Sequence, residues 1–333
     1  MDQVLDLWSA FSRPLAIAAT TALFALGLRT VWAAGIPSFG AIICGAVGGY
    51  LGMNLMVAGH GLPSALLLGG LAGFASGLLL AVALLRVPAS LQALTSLAVV
   101  ALLPSLARAL PSWTSGGWTG GTIGLALADP LPSGWAFGVL AASVLLAWAA
   151  ERSWFGLAAN AVRQDPVVAA GLGIPVRTIQ SLAYAIAGVL GGMAGVLLAA
   201  TTGAITPTMF STSLAFTALA AVLLGGAYHW LGPLLGTALI LTPSLVLRNG
   251  PSDLQDFALA IIVVLLLVFL PRGLLDPREG QRRASRARHR QRNVVVAMTP
   301  ADDRRGRNRR DSARDAYRSR LEAAIKRRNG GPT

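Results

Sequence analysis

Residues 151–180 carry the charged side chains whose spacing could serve a function, because the sequence on either side of them is almost entirely apolar. The stretch reads ERSWFGLAANAVRQDPVVAAGLGIPVRTIQ. Apolar residues recur between its charges at helical spacing, which predicts one or two short amphipathic helices. Another protein could grip such helices between membrane spans, so this stretch is the candidate functional element. Its charged residues are Glu151, Arg152, Arg163, Asp165 and Arg177.

One helix within this stretch would suit the transmission of force from a soluble partner to the membrane. Val162, Ala169 and Leu172 are expected to face the membrane helices. Arg163 and Asp165 are expected to face the partner. The alternative is an ordinary amphipathic loop, and the residues by themselves leave both interpretations open.

Catalytic and nucleotide-binding chemistry has no support in the sequence. The chain has a single lysine, Lys326, and no glycine-rich loop ending in Lys-Ser or Lys-Thr, so it contains no phosphate-binding P-loop. Its three histidines, His60, His229 and His289, lack Cys or carboxylate neighbours at metal-ligand spacing. We therefore expect no enzyme, no metal and no cofactor, and ATP would have to be bound by separate partner subunits.

The composition indicates that these charges belong to a membrane protein. The chain of 333 residues is 54% hydrophobic and only 12% charged, about half the charged fraction of a soluble domain. Since a span must satisfy its own backbone hydrogen bonds, we predict an all-α, polytopic integral membrane protein with about eight to ten transmembrane helices, some short or broken. The predicted apolar stretches are residues 14–31, 38–57, 62–85, 91–110, 135–150, 182–200, 214–224, 234–247 and 257–270.

Basic residues concentrate at the C-terminal end. Of the 27 Lys and Arg residues, 19 follow residue 270, whereas the 14 acidic residues divide evenly about that point. We predict a transmembrane domain over residues 1–275 and an Arg-rich, mostly disordered tail over residues 276–333, in which residues 311–328 could form an amphipathic helix. The tail could contact anionic membrane lipid or remain solvated. Nucleic acid is not an expected partner, because no folded recognition module accompanies the charge.

The basic segments also predict orientation. Cations near spans favour the cytoplasmic side, so residues 151–180 and the tail are expected in the cytoplasm. The polar loops at residues 111–124 and 201–213 are then expected outside. Arg29, near the end of the first span, is expected to extend its side chain to a membrane interface.

Ionisable residues are nearly missing from the apolar stretches, which counts against an ion-coupled transporter. A glycine-rich bundle with a charged segment outside the membrane, here residues 151–180, and no energy source of its own is typical of a pore-forming subunit that a partner powers. A stand-alone secondary transporter and a non-transporting scaffold with a basic tail stay open as alternatives.

Several motifs resemble, in order, those of the permease subunits of branched-chain amino acid ABC importers. They cover about residues 26–275 and are weak glycine patterns when taken singly. The resemblance rests on ALGLRTVWAAGIPSFGA (residues 25–41), LTSLA (94–98), WTGGTIGL (118–125), FGLAANAVRQDPVVAAGLGIPV (155–176), ITP (205–207), LGPLLG (231–236) and LPRGL (270–274). The chain departs from the family pattern at Arg29, where a neutral polar residue is common, and at Ala170, where a glutamate is common.

The resemblance implies a multi-pass protein of the bacterial plasma (inner) membrane with a cytoplasmic C-terminal tail. Its implied partners are a second permease subunit, two ATP-binding cassette ATPase subunits and an extracytoplasmic substrate-binding protein. Residues 155–176 match the family's coupling loop, which docks on the ATPase. The coupling residues carried over by position are Arg163, Asp165, Ala169, Gly173 and Ile174.

The resemblance implies import of a small amino acid with a branched chain, and related importers carry urea, amides or sugars. An aliphatic amino acid needs an apolar path with a few hydroxyl or backbone groups for its charged ends. These Ser and Thr residues could instead hydrogen-bond only between helices. The candidates for the substrate path are Ser38, Thr95, Thr119, Gly120, Gly121 and Thr206.

Overall fold

The computed structural model describes residues 2–109, 123–124, 134–227 and 229–246, together with Asp315, Ala316 and Arg318. The chain divides into two compact units, Met1–Asp276 and Pro277–Thr333. The predicted apolar stretch at residues 257–270 lies outside the described residues, as does nearly all of the tail. Asp315, Ala316 and Arg318, within the predicted tail helix, are helical.

Ten α-helices account for nearly all of the described first unit, which confirms the all-α prediction. Six of the described helices are long and apolar enough to cross a membrane: α1 from Pro14 onward, α2, α3, α4, α5 and α8. The helices are α1 (Asp2–Ala33), α2 (Gly40–Val57), α3 (Leu62–Leu84), α4 (Ala89–Ala109), α5 (Gly134–Arg152), α6 (Trp154–Gln164), α7 (Pro166–Gly171), α8 (Val176–Thr202), α9 (Thr212–Gly225) and α10 (Gly232–Val246).

Helices α9 and α10 form a close hairpin, and α9 is shorter than a full-length span. α9 has 14 residues, fewer than the roughly 20 that an apolar span needs. A β-carbon at Gly225 would collide with the backbone of Gly232, and one at Gly236 would collide with the backbone of Ala221. The prediction of some short membrane helices therefore holds for this part of the chain.

Two short strands join distant loops at one end of the bundle. β1 (Ile123–Gly124) pairs antiparallel with β2 (Ala204–Ile205), with Ile123 opposite Ile205 and Gly124 opposite Ala204. A 3₁₀ helix, Pro207–Phe210, follows β2. The pairing places the ends of the two polar loops, which we expected on one side of the membrane, next to each other.

Helix α8 is the centre of the bundle, and glycines let α2 and α3 approach its backbone. Gly191 of α8 faces the backbone of Ala41 in α2, and Gly195 faces that of Gly45. Because both positions advance together, α2 runs parallel to α8. Since lipid supplies no hydrophobic force between helices, such close backbone contact is what holds them together.

Helix α3 runs in the opposite direction along α8. Gly188 of α8 lies against Gly73, and Gly192, one turn later, lies against Gly69. α1, α2 and α8 are buried over most of their spans, whereas α4 and α5 are mostly exposed. Helices α4 and α5 therefore lie at the surface of the described bundle, and the core lies between α1, α2, α3 and α8.

Candidate functional site

Residues 154–174, termed the amphipathic segment below, form two short helices as the sequence predicts. Asp165 ends α6 and begins α7, and its Oδ1 accepts hydrogen bonds from the N–H groups of Val167 (2.9 Å) and Val168 (3.1 Å). Pro166 follows at the first helical position, where its missing N–H costs nothing. Asp165 is therefore an N-cap residue in the described structure.

The structure at the end of α7 shows what Gly173 and Ile174, two of the predicted coupling residues, do for the local fold. Gly173 has a φ of +82°, a left-handed conformation that costs an L side chain about 1–2 kcal/mol. Its N–H donates to the carbonyl of Ala170 (3.0 Å), and the N–H of Ile174 donates to the carbonyl of Ala169 (3.1 Å). These two bonds form a Schellman motif, so Gly173 and Ile174 fix the direction in which the chain enters α8.

The buried face of the amphipathic segment packs against two membrane helices. Ala169 is only 2% exposed, and half-buried Ile174 packs in the same cluster. This cluster joins α6 and α7 to the end of α1 and the first turns of α8. Its buried members are Ala34, Ala158, Ala159, Val162, Ala169, Ile179 and Ala183.

On the outer face of the segment, the exposure of two side chains differs from the prediction. Leu172 was expected to face the membrane helices, and this was wrong: its side chain is 75% exposed. It follows the last residue of α7, where the chain leaves helical geometry, so helical spacing no longer decides which way it faces. Arg163 is half-buried and its Nη2 donates to Oδ1 of Asn160 at 2.8 Å. The exposed apolar residues of the segment are Trp154, Leu157, Val167, Val168 and Leu172.

A second feature joins this segment to α1, and sequence reasoning missed it. Arg29 was expected to reach a membrane interface, but its side chain is buried and forms an ion pair with Glu151 in the last turn of α5. An arginine inside an apolar helix needs an anionic partner. The signal was present in the sequence, because Glu151 is the only glutamate before residue 271.

Other groups converge on this ion pair. Arg163 lies within electrostatic range of Arg29, and a β-carbon at Gly35 would lie 3.0 Å from Cα of Arg163. His229, in the turn between α9 and α10, is close enough to Arg29 to respond to its charge. Burial and, secondarily, that positive charge lower the pKa of the His229 imidazole, which favours the neutral form at pH 7. The end of α1, the amphipathic segment and the α9–α10 turn therefore meet at one place.

One substrate-path candidate, Ser38, lies near the start of α2. Ser38 is completely buried, and its Oγ accepts a hydrogen bond from the N–H of Gly40 at 3.3 Å. Thr95 donates to the carbonyl of Leu91 in its own helix at 2.9 Å. Oγ of its buried neighbour Ser96 instead accepts a hydrogen bond from the N–H of Phe39 at 3.1 Å. Ser96, and not Thr95, therefore contacts the residue next to Ser38. Sequence reasoning did not single out Ser96.

Thr206 lies at the opposite end of the bundle. Gly40 packs against Tyr184, near the start of α8, whereas Thr206 follows the end of α8 and lies 3.2 Å, Oγ1 to Oγ1, from Thr208. Thr202 lies 18 positions after Tyr184, which corresponds to about 27 Å of helix. The structure therefore does not bring Ser38 and Thr206 into one site.

The remaining substrate-path candidates, Thr119, Gly120 and Gly121, lie outside the described residues. The strand that follows them, β1, pairs with β2 directly before Thr206. Within the part of the chain that the structure describes, no group of three or more His, Cys, Asp or Glu side chains could hold a metal ion.

A bundle of apolar helices in backbone contact, with an amphipathic segment fixed to two of them, defines a polytopic α-helical membrane protein. The chain belongs to the family described as the permease component of the branched-chain amino acid transport system, whose model matches residues 11–270.

Among its relatives, the chain is 32% identical over 238 residues to the autoinducer 2 import system permease protein LsrC of Escherichia coli O9:H4 (strain HS), covering 66% of each protein. It is 31% identical over 234 residues to the protein of that name from Salmonella paratyphi B (strain ATCC BAA-1250 / SPB7), covering 65% of this chain and 64% of the relative. The chain thus spans just under two thirds of the length of these relatives. No solved structure matches it.

Proposed function

We propose that this chain is the permease subunit of an ATP-binding cassette importer in the bacterial plasma membrane. The observation that supports this most directly is the attachment of the amphipathic segment to α1 and α8, combined with its exposed apolar outer face. An exposed apolar patch on a charged surface marks a site where another protein binds. The partners would be a second permease subunit, two ATPase subunits and an extracytoplasmic substrate-binding protein.

The chain itself would supply no catalysis and bind no cofactor, and ATP would be bound by the ATPase subunits. Movement of an ATPase would push the amphipathic segment, which contacts Ala34, the residue directly after α1, and Ile179 and Ala183 of α8. α2 and α3 would follow α8, because their backbones contact it through glycines. A rigid connection of this kind can convert a small displacement outside the membrane into movement of helices within it.

The apolar patch leads to a prediction on ATPase binding. Changing Leu172 to Glu should reduce copurification of the ATPase about tenfold or more, because a charge placed in an apolar docking surface must be desolvated without a partner. The measurement is the amount of ATPase recovered with the tagged permease in mild detergent, with cognate subunits coexpressed.

The matched control for this prediction is Thr178→Glu, which adds the same charge at an exposed position in the first turn of α8. ATPase recovery should be unchanged there. Equal recovery with Leu172→Glu and wild type would contradict the docking surface, and the absence of any ATPase with wild type would contradict the importer itself.

For the substrate, the names of the relatives favour the alternative that the sequence left open, a permease of a related importer for urea, amides or a sugar. Their substrate is autoinducer 2, whereas the family description names branched-chain amino acids. We propose that the solute belongs to the alternative group and is autoinducer 2 or a sugar, not an amino acid. Ser38 and Ser96, which lie near the start of α2, are neutral hydroxyls of the kind that hydrogen-bond a polar, uncharged solute.

Uptake by the reconstituted complex tests this proposal. ATP-dependent uptake of labelled autoinducer 2 or a sugar, unaffected by a hundredfold excess of leucine, is the expected result. Competition by leucine would contradict the substrate class but not the importer, whereas uptake driven by a proton gradient without ATP would contradict the importer.

The Arg-rich tail at residues 276–333 remains a proposed contact for anionic lipid, on the strength of its sequence charge alone. We place it in the cytoplasm for the same reason. The proposed transport function does not depend on this tail.

A further inference from the structure

A cavity of about 600 Å³ lies between α2, α3, α4 and the 3₁₀ helix that follows β2. This volume lies within the range of small-molecule sites, whose walls are mostly apolar with a few polar groups. Leu51, Leu79 and Leu106 are among its apolar residues. The cavity is separate from the outer face of the amphipathic segment, to which we assign the ATPase.

The polar side chains on the cavity wall are uncharged. They are Tyr50 and Asn54 of α2 and Ser76 of α3, and none of the described residues that line the cavity carries a charge. Tyr50 and Asn54 are four positions apart, so they lie on one face of α2. The Ser76 hydroxyl donates to the carbonyl of Gly73 at 3.0 Å, which leaves its lone pairs as acceptors. This set suits the hydroxyl groups of an uncharged solute better than an ion.

The Tyr50 hydroxyl is the group on this wall for which the protein supplies no partner. Its oxygen is buried and forms no hydrogen bond in the part of the chain that the structure describes. A hydroxyl enclosed in this way is costly, and phenylalanine would fill the same space without that cost. A hydroxyl retained at the edge of a cavity is explained if it hydrogen-bonds a molecule that enters the cavity.

The cavity lies toward the end of the bundle that carries the polar loops. Pro207 and Phe210 of the 3₁₀ helix line it, and this helix follows the end of α8, far from Ser38. Phe210 is fully buried, and its ring centre lies 6.4 Å from those of both Phe24 and Tyr50. We expect this end on the outer side of the membrane, where a binding protein would deliver a solute.

We propose that this cavity is the site at which the permease first holds its solute, an uncharged molecule with several hydroxyl groups, of the sugar type. The Tyr50 side chain turns toward the solute and donates a hydrogen bond to it, while Asn54 and Ser76 contact its other polar groups. Leu79 and Leu106 are exposed, so the cavity opens sideways. The second permease subunit covers this opening, because lipid cannot hold a polar solute there. The inference rests on the proposed function and adds a site to it.

The first test measures ATP-dependent uptake of labelled autoinducer 2 by the reconstituted complex with Tyr50→Phe. Uptake should fall about fivefold, the order of effect of one hydrogen bond. The variant should unfold at the same temperature as wild type or higher, because the hydroxyl that it removes has no partner in the resting protein. The control is Thr217→Val, which removes a hydroxyl of α9 that bonds within its own helix and lies outside the cavity. It should transport as wild type does.

The second test fills the cavity. Ala75→Phe places a ring where α3 lines the cavity and should abolish most of the uptake. Ala83→Phe adds the same ring at another exposed position of α3 that does not line the cavity, and it should leave uptake unchanged.

The outcomes separate this site from the importer itself. Wild-type uptake in both Tyr50→Phe and Ala75→Phe would overturn the solute site and leave the importer standing, and the cavity would then hold only a lipid chain. A drop in unfolding temperature that accompanies the lost uptake of Tyr50→Phe would assign the hydroxyl a structural role and also overturn the proposal. No ATP-dependent uptake by wild type would contradict the proposed function, and the solute site would fall with it.

Discussion

Replacing Glu151 with Gln should lower the free energy of unfolding by about 3–5 kcal/mol, the usual cost of removing one partner from a buried ion pair. The side chain of Arg29 is only 5% exposed, whereas that of Glu151 is 31% exposed. The change therefore leaves a guanidinium in the bundle with no opposite charge, and a glutamine amide can accept a hydrogen bond but cannot neutralise it.

The reverse change should cost less. Arg29→Met leaves Glu151, whose partly exposed carboxylate can reach water, and methionine keeps much of the apolar packing of the arginine stem. The double variant Arg29→Met/Glu151→Gln should then recover most of the stability that Glu151→Gln loses, since it contains no buried charge.

Unfolding of the three variants in mixed micelles with increasing denaturing detergent is followed by tryptophan fluorescence. It measures the order of their losses in the free energy of unfolding. Equal losses for Glu151→Gln and Arg29→Met would mean that the pair is solvated in the membrane. Additive losses in the double variant would mean that the two side chains do not interact.

The second large effect is expected where α2 contacts α8. Changing Gly191 to Ala should destabilise the protein by about 3 kcal/mol, at the upper end of overpacking costs. The added β-carbon would collide with the backbone carbonyl of Ala41, and backbone cannot move aside as a flexible side chain can. The helices would have to separate and lose packing along their length.

Gly138→Ala provides the control for this prediction. Gly138 lies within α5, and no atom lies within 4 Å of a β-carbon placed there. Alanine should stabilise this helix by about 0.5–1 kcal/mol, because glycine loses more backbone freedom on folding. The same detergent titration measures both variants, and a neutral Gly191→Ala would show that α2 and α8 are not in backbone contact.

The amino-acid sequence by itself determined the membrane class, the approximate spans and the place of the amphipathic segment. These features depend on residues close together in the chain: apolar runs, helical spacing, and signals such as Asp165-Pro166 at the start of α7 and Gly173 at its end. Local chain geometry decides them, so composition and spacing were enough.

Only the tertiary structure decided which side chains meet across long separations. Arg29 and Glu151 are 122 positions apart, and the pattern around Arg29 alone predicted an exposed end. Ser38 and Thr206 both have hydroxyl groups suited to a solute, yet they lie at opposite ends of α8. Leu172 faces outward because the chain turns at the end of α7. For the Arg29–Glu151 pair and for Ser38 and Thr206, the direction and packing of distant helices fixed surroundings that the local sequence leaves undetermined.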